Sequence, residues 1–272
     1  ETIKLLEEHK DEPFFIAAGL YRPHIPYIAP KKYFGFYDID KTPLPPLPEN
    51  YRDTVPSASL ASTSQWPNFG TTEREARECI LAYDACVSFV DVQIGRLMAA
   101  VDRLGLRGNT IVVLWGDHGY HLGEHGLWRK NSLFEESARA PLIIDAPGIE
   151  PGTSDCKRIV EFVDIYPTLA ELAGLTRPEN LDGVSLVKLL KNPKAEWNRP
   201  AFIQTKFRTA PGYSVRTPRW RYVEWGAHGG DQGVELYDQE NDPLEMNNLA
   251  GVKQHAGTMA RLKKLIQGNW GN

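Results

Sequence analysis

The sequence predicts an α/β fold: a mostly parallel sheet flanked by helices, with a small antiparallel sheet appended at its carboxyl end. Three observations carry this. Short apolar runs alternate with stretches of helical periodicity as far as Asn192-Pro193. One such run, Thr110-Ile111-Val112-Val113-Leu114-Trp115, opens directly into a glycine-punctuated loop dense with Asp, His, Glu and Lys. From Ala201 onward the pattern becomes short strands joined by turns. The change of character near Asn192-Pro193 divides the chain into residues 1–192, an α/β domain, and residues 193–272, a smaller subdomain.

The 272 residues are 42% hydrophobic and 24% charged, which suits a globular chain able to bury a core. A net charge of -4 gives no electrostatic reason to expect nucleic acid or an anionic membrane as partner. No apolar run approaches the ~20 residues a membrane-crossing helix needs. The opening residues Glu1-Thr2-Ile3-Lys4-Leu5-Leu6-Glu7-Glu8 read as an amphipathic helix, without the basic start and apolar centre of a signal peptide. Cys79 and Cys86 lie seven apart in a helical segment, which puts their Cα atoms about 10 Å apart and beyond disulfide reach.

Taken in order, Pro13-Phe14-Phe15-Ile16-Ala17-Ala18-Gly19 predicts a buried strand ending in Tyr21-Arg22-Pro23-His24-Ile25-Pro26. Residues 28–70 are loop-rich, with Pro43, Pro45, Pro46 and Pro48 crowded together. Thr72-Glu73-Arg74-Glu75 fits a capping box, and apolar residues recur at helical spacing from 76 to 101 before Gly105 stops the helix. The run at 110–115 predicts a strand buried on both faces, as in a parallel sheet. A second follows at Pro141-Leu142-Ile143-Ile144-Asp145-Ala146, and a helix runs from Asp164 to Ala173, closed by Gly174. Four short strands are expected at 201–204, 213–216, 220–224 and 234–238, with a final helix near 252–267.

In open α/β sheets ligands bind just past the carboxyl ends of strands, which is where Asp117 and His118 fall. They are the metal candidates. Carboxylate suits calcium or magnesium and imidazole suits zinc, so the pair does not by itself name the ion. The alternative is an aspartate capping the next turn beside a histidine bonded to backbone. His121 and His125, spaced i, i+4, would share a helical face as zinc ligands do, but Gly123 and Gly126 argue for a structural role instead. Lys130 suits an anionic substrate, held as a point charge. His24, in a loop framed by prolines, suits proton donation to a leaving group near neutral pH. Singly, these two also read as a surface lysine and a packed histidine. Tyr21, Tyr120 and Asn131 flank these positions and suit contact with a sugar.

Arg22-Pro23-His24-Ile25-Pro26, Gly116-Asp117-His118-Gly119, Leu122-Gly123-Glu124-His125-Gly126-Leu127-Trp128 with Lys130, and Ser137-Ala138-Arg139-Ala140-Pro141-Leu142 together resemble the sulfatases, particularly the iduronate-2-sulfatase group. Asp164-Ile165-Tyr166-Pro167-Thr168, Leu181-Asp182-Gly183-Val184-Ser185 and Glu235-Leu236-Tyr237-Asp238 through Asn248-Leu249 are similar to sulfatase patterns too. The resemblance implies an alkaline-phosphatase-like fold. It implies that Asp117 and His118 ligate a divalent cation, calcium in this family. Lys130 would hold the sulfate of a sulfated carbohydrate, and His24 would contact the ester and assist departure of the alcohol. It further implies an extracytoplasmic setting, whether periplasmic, secreted or lysosomal.

The sulfatase nucleophile is formylglycine, made from the first residue of a Cys/Ser-x-Pro/Ala-x-Arg motif. None of Cys79, Cys86 or Cys156 begins that motif, and the paired aspartates that precede it in the family are absent too. Both are therefore expected in an amino-terminal portion outside this sequence. The 272 residues alone would then be inactive, with weak metal affinity, because two ligands cannot fill the six to eight positions calcium prefers. Two other readings stay open: a zinc-dependent phosphoester hydrolase of the same superfamily with a Ser or Thr nucleophile, and a non-catalytic carbohydrate-binding remnant.

Overall fold

The longest element is set by its first four residues. Thr72 Oγ1 accepts from the Glu75 amide at 3.3 Å while the Glu75 carboxylate takes the Thr72 amide at 2.8 Å. This capping box satisfies two amides that the helix itself leaves unbonded, a contribution of about 1 kcal/mol. Helix α3 then runs Glu73–Arg103, and Gly105 ends it with φ +71°. The computed structural model that shows this describes every residue except 62, 64, 151–154, 208, 209, 228, 271 and 272. It divides into two compact units, residues 1–45 with 70–110, and residues 46–69 with 111–272.

In the first unit, α1 (Thr2–His9) and α2 (Lys31–Phe34) pack on α3. Ala76, Ile80, Ala85, Cys86, Ala100 and Val101 form the buried stripe of α3, and Glu7 pairs with Arg103 at 2.6 Å. Cys79 and Cys86 are free thiols, as their helical spacing requires. The strand expected at 13–19 is not formed: no ladder among the described residues includes this segment, and Phe15 is 86% exposed. An apolar run states a demand for cover. A strand exists only where a neighbour takes its N–H and C=O groups.

The second unit begins with β1 (Val112–Trp115), followed by the two-residue strands β2 (His121–Leu122) and β3 (Trp128–Arg129), then α4 (Glu135–Ala138) and β4 (Leu142–Asp145). The α/β class holds, but pairing differs from the parallel arrangement expected. Strands β1 and β4 are antiparallel, with Val113 opposite Ile144 and Trp115 opposite Leu142. Nor is β1 buried on both faces, since Trp115 is 49% exposed. The β4 side chains alternate: Leu142 and Ile144 pack against the Leu186–Leu189–Ala195 cluster while Ile143 points outward. Apolar content specifies covered faces, and it leaves strand direction open.

Helices α5 (Ile165–Leu172) and α6 (Val187–Lys191) follow, tied by buried Asp164, which accepts from the Glu161 and Val184 amides. The antiparallel sheet is β5 (Ala201–Phe207), β6 (Ala210–Arg216), β7 (Trp220–Trp225) and β8 (Val234–Asp238), in sequential order. Helix α7 (Ala256–Trp270) covers one face, where Leu262 and Ile266 meet Val215, Tyr222 and Leu236. The other face is covered too: Val223 and Trp225 pack on Leu133, and Tyr237 joins Tyr51, Leu127 and Phe134. Residues 127–134 are thus pinned on the sheet. They carry Lys130.

Candidate functional site

Strand β1 delivers Asp117 and His118 at its carboxyl end, where the chain must turn at once. Gly116 donates to the Pro141 carbonyl at 3.1 Å and Gly119 to the Ser137 carbonyl at 2.9 Å. At Gly119 the backbone lies so close to α4 that a Cβ would overlap the carbonyl oxygens of Glu136 and Arg139. Only glycine permits that approach.

The two metal candidates are brought together. The Asp117 carboxylate is 84% exposed, and its Oδ2 lies 3.3 Å from His118 Nε2. His118 Nδ1 lies 2.8 Å from the Gly119 carbonyl. A proton on Nδ1 donates to that carbonyl and leaves the Nε2 lone pair beside the carboxylate. Metal-binding histidines are held by this second hydrogen bond. The donor set therefore fits a hard divalent cation as two of its ligands. Among the described residues, no group of three or more His, Cys, Asp or Glu forms a fuller cage.

Lys130 follows β3 and is half-buried. Its carbonyl accepts from Ser137 Oγ, and among the described residues its ammonium has no hydrogen-bond or ion-pair partner. A cation whose backbone is anchored and whose charge has no counter-ion among the described residues suits an anionic ligand. Ser137 thus bonds both segments, Gly119 through its carbonyl and Lys130 through its hydroxyl. Asn131 is exposed and Tyr120 half-buried.

His24 belongs to the first unit. It is exposed, with Nδ1 2.7 Å from the Ile25 carbonyl and its ring 5.1 Å from that of Tyr21. The loop is braced by Arg22, which bonds the Ile28 and His24 carbonyls, and by the Tyr21 hydroxyl on the Ile25 carbonyl.

His121 and His125 sit on no common helix, and both are fully buried. His125 stacks on Phe134 with centroids 3.9 Å apart, donates to Glu136 at 3.2 Å and accepts from the Tyr51 hydroxyl at 2.5 Å. Burial pushes the Tyr51 phenol up, so it stays protonated as the donor. Next to it Gly126, at φ +67°, would bring a Cβ to 2.8 Å from the Trp66 ring. These contacts are structural, as the glycine-broken spacing indicates.

His121 bonds Ser132 Oγ at 2.7 Å and, among the described residues, leaves Nδ1 without a hydrogen-bond partner. Burial first, and His125 second, push its pKa down to about 3. The fold therefore holds the neutral ring, while the unfolded chain takes a proton near the ordinary 6.5. Stability is fully present above pH 6.5 and is lost as pH falls from there toward about 3. The slope should approach about 1.4 kcal/mol per pH unit for this one proton. Urea midpoints at pH 7 and pH 5 check it: His121→Gln, which takes up no proton, should show a smaller difference than the unaltered chain.

Sequence reasoning missed the supports beneath the site. Arg221, 1% exposed, pairs with Glu245 at 2.5 Å and with Glu135, the first residue of α4. Burial works to raise the Glu135 carboxyl, but Arg221 and Arg216 overcome it and hold the group below the usual range. The Glu245 carboxylate also accepts the Glu135 amide at 2.8 Å. These partners are far apart in the chain, and no local motif signals them.

The fold class is the alkaline-phosphatase-like one. A protein solved in complex with its substrate D-glucosamine-2-N,6-O-disulfate aligns with 98% of this chain and 67% of its own, with TM-score 0.80 and 23% identity. Two family models match the chain: Sulfatase over residues 1–175, and N-sulphoglucosamine sulphohydrolase, C-terminal, over residues 123–269. The chain belongs to the sulfatase family. A sulfatase of Formosa agariphila is 34% identical over 97% of this chain and 52% of its own length. The mouse iduronate 2-sulfatase is 30% identical over 97% of this chain and 63% of its own. The chain spans about half to two thirds of the length of these relatives.

Proposed function

We propose that this chain supplies the cation- and sulfate-binding part of an iduronate-2-sulfatase-like sulfuric ester hydrolase acting on sulfated sugars. One observation carries the reading most directly: Ser137 bonds both Gly119, next to the Asp117–His118 pair, and the backbone of Lys130, whose ammonium has no partner among the described residues. Sequence outside these residues supplies the formylglycine nucleophile and the remaining metal ligands. Residues 193–272 act as a subdomain that backs the site. The proposed setting is extracytoplasmic, in keeping with the resemblance; among the described residues no helix is long and apolar enough to cross a membrane.

Asp117 and His118 would hold the cation, calcium by family resemblance, with the Gly119 carbonyl orienting the histidine ring through Nδ1. When bound, the cation offsets negative charge on the sulfate oxygens. Lys130 adds a fixed positive charge at the same anion, stabilising charge as the ester bond breaks. His24 donates a proton to the departing alcohol oxygen. The chain contributes binding, charge and a proton, but no nucleophile.

Kinetics on the complete polypeptide test this. Lys130→Ala should lower kcat/KM for an aryl sulfate by on the order of 10²–10³-fold, the scale of losing one transition-state charge contact. The 272-residue chain alone should give no turnover. Unchanged kcat/KM in the variant, turnover by the chain alone, or hydrolysis of phosphoesters in place of sulfate esters would each overturn the reading.

A further inference from the structure

The carboxyl-terminal sheet carries a cavity that ester hydrolysis at Asp117 and Lys130 does not use. It opens where the last turns of α7 meet β6 and β7, has a volume of about 300 Å³, and is lined by Tyr213, Glu224, Gly229, Lys263, Gln267 and Trp270. Small-molecule sites start at about this volume, and combine apolar or aromatic walls with a few placed polar groups.

The aromatic wall is braced. Trp270 lies 5.2 Å from Tyr213, and the Phe202 ring meets it edge-on at 5.5 Å. The polar wall is Glu224, whose side chain is 3% exposed. Its Oε1 accepts from the Tyr222 hydroxyl at 2.8 Å and faces Lys263 Nζ at 3.5 Å. Lys263 also donates to the Gly229 carbonyl at 3.1 Å. Both contacts to Glu224 run to Oε1, and Oε2 takes neither. Oε2 is not among the buried, partnerless oxygens of the described residues, so it is open to the cavity, where a hydroxyl donor can take the place of water.

That chemistry selects the ligand. An anion would meet the Glu224 charge, while the Lys263 charge is already matched by that same carboxylate. A ring with an apolar face and several hydroxyl donors satisfies both walls. We propose that this cavity binds an uncharged pyranose ring, its apolar face on Trp270 and Tyr213 and its hydroxyls donating to Glu224 Oε2 and bonding the Gln267 amide. The site is independent of the cation and sulfate contacts proposed above, so it stands or falls separately from them.

The 272-residue chain titrated with cellobiose, with N,N′-diacetylchitobiose and with glucose 6-sulfate tests the assignment, with the Trp270 indole N–H followed by NMR. Both neutral disaccharides should shift that resonance saturably, with a dissociation constant on the order of 1 mM. Gln267→Ala, on the exposed side of α7, should weaken binding about three- to tenfold, the scale of one hydrogen bond. Glu224→Gln should weaken it at least as much while preserving side-chain shape, with thermal unfolding confirming that each variant is folded. Three results would overturn the proposal: no saturable shift with either neutral sugar up to about 50 mM, equal or tighter binding of glucose 6-sulfate, or full affinity in the folded Gln267→Ala variant.

Discussion

Arg221→Ala is expected to cost about 3–5 kcal/mol of folding stability, read as a drop in urea midpoint. The guanidinium is 1% exposed and serves two carboxylates, one of them Glu245, which is wholly buried. Removing it strands negative charge where water cannot reach. The cost comes less from the lost bonds than from the charge left behind, which a second substitution exposes. Adding Glu245→Gln to Arg221→Ala should return part of the loss, because it removes one of the stranded charges. A loss below about 1 kcal/mol, or no recovery in the double variant, would show that the carboxylates are neutralised by other means.

Gly119→Ala should be similarly damaging for a different reason. The added methyl group meets two backbone carbonyls, Glu136 and Arg139, which cannot rotate away as a side chain would. Overpacking of this kind costs about 1–3 kcal/mol and forces the backbone to shift. Here the shift falls at Asp117 and His118, so any affinity for the cation proposed there, measured by calorimetry with calcium, should fall along with the urea midpoint. Gly95→Ala provides the contrast. Its Cβ would meet nothing within 4 Å, and it lies inside α3. It should stabilise the chain by about 0.5–1 kcal/mol through helix propensity. Equal effects from the two glycines would refute the steric account.

What the sequence made legible was local. Thr72 with Glu75 marked the start of α3, and Gly105 its end, because capping is decided within four residues. The strands of the carboxyl-terminal sheet showed through their alternation and turns, although β5 and β6 extend further than expected. Asp117 and His118 stood out because a strand, a glycine and two ligand-type residues adjoin. What stayed hidden was non-local. Arg221 and Glu135 lie 86 residues apart, so the ion pair beneath α4 has no sequence signature. The segment at 13–19 and the pairing of β1 were misread for a related reason. Phe14, Phe15 and Ile16, like Val112 and Val113, declare an apolar surface; their neighbours and strand direction are settled elsewhere in the fold.

The two hydrogen bonds of Ser137 have a consequence for redesign. Its carbonyl anchors Gly119 and its hydroxyl anchors Lys130, so the residue behaves as a shared hinge pin rather than as one wall of a pocket. A change there is felt at both ends of the site together, and the buried run from Ser132 to Phe134 is bound by the same packing. If the proposed function holds, new substrate preferences are best sought at the exposed Asn131, one position beyond Lys130, where a side chain can be exchanged without disturbing either anchor.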